Sequence, residues 1–326
     1  MPAARTIASA LLSVLLGAFA FIPPAAAQDY PARAVKFIVP FGAGGPADVF
    51  TRQIAQRLSE QFKQPFIVEV RSGAGAIIGT DAVAKSAPDG YTLLVMANAQ
   101  TTTESLVPNR PYNLMRDFVA VAGLNISDLL MVVHPSVPAK NVQEFIAFAK
   151  SNPGKVNYAS SGNGSPYHMA GELFKTMTGA TMQHVPYRGS TQARVDVIGG
   201  QVQAMFDAIT VVSPNVQAGQ VRALGTTGPR RTAVMPDVPT VAESGLPGYD
   251  ATIWLGVMAP TGTPKAIVDW LNAEINKVIN RPDIREAWAK QGAEPMVMTP
   301  AEFDGFTRRD IEKWAAVVKA SGMKVE

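Results

Sequence analysis

The chain has 326 residues, 47% hydrophobic and 17% charged, which is long enough for two domains and apolar enough for well-buried cores. With 29 basic residues against 26 acidic ones and no basic run, nothing in the composition supports nucleic-acid binding. It has no cysteine, which excludes disulfides, thiol catalysis and thiolate metal sites, and its three separated histidines form no His-Glu-x-x-His pattern, so no metal is expected.

Residues 1–27 read as a secretory signal peptide. Arg5 is their single charge, Leu11 to Ile22 is an apolar core, and Ala25-Ala26-Ala27 offers small residues for cleavage. Pro23-Pro24 stops the apolar run well short of the about 20 residues that a membrane-spanning helix needs. Removing Arg5 leaves 28 basic and 26 acidic residues, a nearly neutral mature protein.

Lys36-Phe-Ile-Val-Pro-Phe41 is an apolar run of strand length, which Gly42-Ala-Gly-Gly-Pro-Ala47 cannot continue. Asp48 then opens a helix with Phe50, Ile54, Leu58 and Phe62 on one face. A turn at the carboxyl end of a strand, leading into a helix N-terminus, is where open α/β sheets collect anions. Gly44 and Gly45 keep side chains out of the way, and Asp48 is expected to cap the helix. A tight connection with no ligand is the plainer alternative.

The unit repeats. Phe66 to Val70 reads as a strand, Arg71-Ser-Gly-Ala-Gly-Ala76 as a second glycine turn followed by a helix, and Tyr91 to Met96 as a strand buried on both faces. The polar stretch Asn98 to Thr103 closes that strand's far end. Leu129 to Val133 begins a second alternation, and Asn141 with Glu144 makes a capping box. Lys155 to Ala159 is a strand, Ser160-Ser-Gly-Asn-Gly-Ser-Pro166 a hydroxyl-rich turn, and Tyr167 to Thr178 a helix, mirroring the opening unit. Strands follow at Met182–Pro186, at Val202–Asp207, which ends on a carboxylate, and at Val221–Thr226. Ala251 to Ala259 is a long strand that returns the chain to the first sheet. Helices follow Pro264, Pro282 and Pro300, and the last of them, with Phe303, Phe306, Ile311, Trp314 and Val318, is expected to dock on the first lobe. The expected fold class is α/β: two doubly wound lobes with a ligand cleft between them, periplasmic binding protein-like. Lobe 1 comprises residues 28–126 and 250–326, and lobe 2 residues 127–249.

Several constellations invite chemistry. Gly42-x-Gly-x-x-Ala47 with Glu69 about 20 residues on fits a dinucleotide fingerprint, but Pro46 removes an amide that a phosphate turn would use. Ser160, Ser161 and Ser165 invite a hydrolase reading, yet there is no Gly-x-Ser-x-Gly elbow. His168, one turn beyond Ser165, reads as a polar residue bonding the loop or as a base. Asp207 can accept from a ligand's amine or hydroxyl, or cap the next turn. Arg71 and Arg188 could clamp a carboxylate but read equally as solvated surface arginines.

Tyr30-Pro31, Ile38-Val-Pro-Phe41 with Gly44-Gly45 and Asp48, Gly73-Ala-Gly75 with Gly79, Pro88-Asp-Gly-Tyr-Thr-Leu93, Tyr158-Ala-Ser160, His168-Met-Ala-Gly-Glu-Leu-Phe174, His184-Val-Pro-Tyr187 with Gly189, Gly199-Gly200 and Pro236-Asp-Val-Pro-Thr240 occur in order along nearly the whole mature chain. Together they resemble the Bug family, the periplasmic solute-binding proteins of tripartite tricarboxylate transporters. The resemblance implies an exported receptor, not an enzyme and without a cofactor, that closes on a small organic acid and serves membrane transporter subunits. The acid would be a di- or tricarboxylate, an aromatic carboxylate or an acidic amino acid, and the protein a monomer. It implies ligand contacts from Phe41, Gly42, Ala43, Gly44, Gly45, Asp48, Ala76 and Gln100 in one lobe. From the other come Ser160, Ser161, Gly162, Gly164, Ser165, His168, Tyr187 and Asp207. Ala76-Ile77 stands where the family often has Gly-Asn, which leaves room for an aromatic or longer acid. A dinucleotide-dependent oxidoreductase and a sensor that presents its ligand to a signalling kinase are the alternatives.

Overall fold

The computed structural model describes residues 30–323; the predicted signal peptide lies outside them. The first lobe opens with β1 (Val35–Val39), α1 (Pro46–Phe62), β2 (Phe66–Val70), α2 (Ile77–Ala84), β3 (Thr92–Ala97), α3 (Asn98–Leu106), α4 (Leu114–Asp117) and β4 (Phe118–Ser127). The second contains β5 (Leu129–Val133), α5 (Val142–Ser151), β6 (Asn157–Ser160), α6 (Pro166–Thr178), β7 (Gln183–Pro186), α7 (Ser190–Ile198), β8 (Ala204–Ala208), α8 (Ile209–Gln217) and β9 (Arg222–Thr226). The chain then returns with β10 (Ile253–Pro260), α9 (Lys265–Ile279), α10 (Pro282–Gln291), β11 (Ala293–Pro295) and α11 (Pro300–Ser321).

Strand order is β11-β4-β10-β3-β1-β2 in one sheet and β7-β6-β8-β5-β9 in the other. The first sheet is mixed: β1 runs parallel to β2 and β3, whereas β10 inserts antiparallel between β3 and β4. Its strands read as continuous apolar runs because alternate residues feed cores on opposite faces. Phe37, Leu93, Val95, Leu255 and Val257 enter one core; Ile38, Leu94, Met96, Trp254 and Met258 enter the other. A helix on each face is therefore required, and the sequence supplies amphipathic ones.

Two expectations change. Asn98 to Thr103, expected only as a polar stretch closing the strand's far end, is the start of α3, with Gln100 to Thr103 buried. Its threonines turn their hydroxyls onto carbonyls one turn back, Thr102 on Asn98 and Thr103 on Gln100, while Thr101 shares its single proton between Asn98 O and Asp310, so a polar run is buried without unpaired hydroxyls. The last helix does not dock on the first lobe alone. Phe303 packs in the first lobe's core beside Trp254, at 5.7 Å between rings, while Trp314 belongs to the second lobe's core. Gly256 is what lets α11 approach β10: a Cβ there would lie 2.0 Å from Phe303 Cζ. Between those anchors Asp310 Oδ2 accepts from Thr101 Oγ1 at 2.5 Å, and Lys313 pairs with Asp250 at 3.0 Å.

Candidate functional site

The site is assembled from four turns at strand ends. Between β1 and α1, Gly45 is the extended N-cap residue and Pro46 the first helical residue, the place where a missing N–H costs nothing. Asp48 does not cap in the expected way. It sits inside the first turn, buried, where Oδ2 accepts the Gly44 N–H at 3.0 Å and Oδ1 pairs with Arg52 at 2.7 Å. Gly44 is in the left-handed region at φ 73°. The second turn, Gly73 to Ala76, holds four successive residues at positive φ, two of them alanines at 46° and 78°. For alanine that conformation is unfavourable, and it marks a backbone held by its surroundings.

On the second lobe, β6 leads through Ser160–Ser165 into α6, whose first residue is again a proline, and Ser165 Oγ caps it by accepting the His168 N–H at 3.3 Å. β7 leads through Tyr187–Gly189 into α7. The lobes touch across these turns. Thr191 Oγ1 donates to Ala43 O at 3.3 Å, and a Cβ built on Gly42 would lie 3.1 Å from Gly189 Cα.

The four turns enclose a cavity of about 130 Å³. Of the sequence-predicted residues it brings together Phe41, Gly42, Gly45, Ala76, Ser161, Gly162, Ser165 and Tyr187. Ala43 and Gly44 lie in the same turn without lining the cavity. Gln100 is buried beneath it, its Oε1 accepting from Ala97 N at 3.0 Å and its Nε2 donating to Thr80 Oγ1 at 3.1 Å. Ser160 is fully buried with Oγ 2.6 Å from His184 Nε2, so it presents no nucleophile to the cavity. Gly164 donates its N–H to His168 Nδ1 at 3.0 Å, and neither residue lines the cavity. Burial pushes the His168 imidazole down to about 4, with Lys175 adding to the shift.

Asp207 does not line the cavity. It is fully buried at the end of β8 and bound by both Nε and Nη2 of Arg194. Burial raises its carboxyl, and the guanidinium opposes that shift. The sequence shows a carboxylate at a strand end but not the arginine that faces it from α7. Glu69 of the dinucleotide fingerprint is likewise bound, to Arg71 at 2.5 Å, and does not line the cavity.

Sequence reasoning missed Ser72, Gly73, Ala74 and Gly75, together with Tyr167, Ser190, Ile253 and Leu255. The glycine turn after β2 and the Gly189-Ser190 step before a helix were the available signals; the β10 residues carried none. The cavity therefore combines hydroxyls with the first residues of three helices, Pro46 of α1, Pro166 of α6 and Ser190 of α7. No Asp or Glu stands among its lining residues, and Arg188 is their single cation. Partial positive charge at helix N-termini plus hydroxyl donors, with no carboxylate to repel it, suits an anion. A second hollow of about 550 Å³, beside the chain crossings, is lined by Asp128, Glu294, Arg230 and Arg231. Burial, with Asp250 and Glu294 nearby, pushes Asp128 up to about 7. Among the described residues no cluster of metal-ligating side chains occurs, and no helix is long and apolar enough to cross a membrane.

Two α/β lobes enclosing an anion-suited cavity define a solute-binding protein of the periplasmic type. Residues 50–323 match the family model described as the tripartite tricarboxylate transporter family receptor, and the chain belongs to that family. It is 39% identical to protein BugT of Bordetella pertussis over 319 residues, 97% of this chain and 98% of that protein. Among solved structures it is similar to R. palustris Rpa4515 with adipate, at TM-score 0.88 and 35% identity over 91% of this chain and 99% of that one. MatC from Rhodopseudomonas palustris, with bound malate, is similar at TM-score 0.84 and 32% identity over 89% and 100%. BugD, a periplasmic binding protein, matches at TM-score 0.86 and 31% identity over 91% and 100%. The family is one of solute-binding receptors, not of enzymes.

Proposed function

We propose that the protein captures a small carboxylate in the interlobe cavity and delivers it to a tripartite tricarboxylate-type membrane transporter, without catalysis. The observation that carries the reading is a cavity built from three helix N-termini and serine hydroxyls with no carboxylate in its lining. The adipate and malate in similar proteins support the ligand class. A cavity of about 130 Å³ compares with one of about 150 Å³ that admits benzene, so the acid is the size of one ring or a short chain. Phe41, Gly42, Gly45, Ala76, Ser161, Gly162, Ser165 and Tyr187 form its wall, while Gly44, Asp48, Gln100, Ser160, Gly164 and His168 hold that wall in place. Residues 28–126 with 250–326 act as one closing body and 127–249 as the other. The protein is exported to the periplasm, its signal peptide cleaved after about Ala27.

A thermal-shift panel of adipate, malate, citrate, benzoate, glutamate and NAD tests this. A ligand at 100 times its Kd stabilises by about 2.7 kcal/mol, which raises the melting midpoint by a few degrees in a protein of this size. A response to NAD and to none of the acids would overturn the reading.

A further inference from the structure

The histidines of the two sequence motifs His168-Met-Ala-Gly-Glu-Leu-Phe and His184-Val-Pro-Tyr meet under the Ser160–Ser165 loop and take no part in the cavity wall. Their rings stack with centroids 3.8 Å apart and planes 10° from parallel. Each bonds the loop from below. His168 Nδ1 accepts the Gly164 N–H, and His184 Nε2 pairs with Ser160 Oγ, which in turn accepts the Gly162 N–H at 3.1 Å. An Nδ1 that accepts a backbone N–H cannot carry a proton, so His168 is the neutral Nε2–H tautomer here. The groups facing the pair are Tyr158 from β6, with its ring 5.1 Å from that of His184, and Glu172 and Lys175 from α6. Glu172 Oε1 already accepts from Tyr158 Oη at 2.6 Å and Lys175 Nζ at 2.7 Å and stands 3.9 Å from His168 Nε2, so it is committed elsewhere.

We propose that the stacked His168–His184 pair is the positioning element of the ligand loop: two neutral imidazoles that fix the Gly162 and Gly164 amides and so set Ser161 and Ser165 against the cavity. Protonating His168 sets an Nδ1–H donor against the Gly164 N–H donor, at a ring stacked 3.8 Å from that of His184. The loop then loses its support. Burial holds both imidazoles below their ordinary range, to about 4 and about 3, so the device is intact at neutral pH and fails in acid. The ligand part of this inference rests on the carboxylate reading above; the loop part does not.

The test compares wild type with His168→Phe, which keeps a stacking ring and removes the acceptor, and His168→Asn, which restores an acceptor that does not titrate. Adipate affinity is measured by calorimetry at pH 7, and the Gly162 and Gly164 amide resonances are followed from pH 8 to pH 5 without ligand. In wild type neither amide moves over that range; His168→Phe shifts both and weakens adipate at least tenfold, and His168→Asn recovers both. Wild-type affinity in His168→Phe, weakened binding with unmoved amides, or wild-type amides moving with a midpoint near 6.5 would each overturn the proposal. If no acid on the panel binds wild type, the carboxylate reading falls, and the amide shifts alone judge the histidine pair.

Discussion

Gly42 and Gly189 meet across the cleft, and this makes lobe closure testable by a single side chain. Neither glycine is needed for a left-handed backbone: Gly42 has no positive φ, and Gly189 is extended at −177°. A Cβ at Gly42 would lie 3.1 Å from Gly189 Cα and 3.5 Å from Arg188 O, both backbone atoms that cannot swing aside. Gly42→Val adds two further methyl groups in the same gap. Overpacking of this kind costs about 1–3 kcal/mol, and because the contact joins the two lobes the cost falls on the closed form alone. Binding that requires closure should weaken by about 5- to 150-fold, at 1.4 kcal/mol per factor of ten. Calorimetric titration with the best acid of the panel reads the affinity, and the ligand-free melting midpoint should stay within about 1 °C, since a substitution touching no core contact leaves stability nearly unchanged. Undiminished affinity with an unchanged melting midpoint would mean that the ligand does not need the Gly42–Gly189 contact, and the hinged-trap reasoning would fail. Gly44 and Gly162 are poorer probes, because at φ 73° and 120° any side chain strains the turn itself.

Further outcomes follow from buried groups. Asp207→Ala leaves Arg194 uncompensated and should cost about 3–5 kcal/mol in urea unfolding, whereas changing both residues to apolar ones of similar size should cost much less. Folding lowers the His168 value from 6.5 to about 4, so the unfolded chain binds more protons between those limits. Stability from this group is therefore complete above about pH 6.5 and lost as pH falls toward 4, by roughly 3 kcal/mol at most; His168→Asn should flatten that part of a pH-stability curve. Phe303→Ala removes the ring that α11 buries against Gly256 and should cost about 3–5 kcal/mol, read as a lower urea midpoint.

The α/β class and the two closing turns were legible because glycine and proline carry local information. Gly42 to Ala47 and Ser160 to Pro166 announce turns after strands by backbone restriction alone, and the structure has both, with the helices starting slightly earlier than the expected Asp48 and Tyr167, at Pro46 and Pro166. What stayed hidden depends on partners distant in the chain. Asp207 looked like a free carboxylate because Arg194 meets it only after α7 folds back onto β8. Asn98 to Thr103 read only as a polar strand end because β-branched polar residues are poor helix formers until their hydroxyls are buried onto their own carbonyls. Ile253 and Leu255 read only as part of a returning strand, and they are buried residues of a strand whose end reaches the cavity.

The position of β10 has a consequence in time. The second lobe's strands are contiguous, residues 129 to 226, so its sheet can form as soon as that stretch is available. The first lobe's sheet has no such freedom: β4 touches β3 only through β10, which is made more than a hundred residues after both have left the ribosome. Until then β3 and β4 each offer an unpaired edge. At 5–20 residues per second of synthesis, that interval lasts about 6 to 30 seconds. The later half of the ligand trap can therefore be finished while the earlier half is still waiting for its central strand, and any holding factor that keeps this chain unfolded must guard residues 92 to 127 longest.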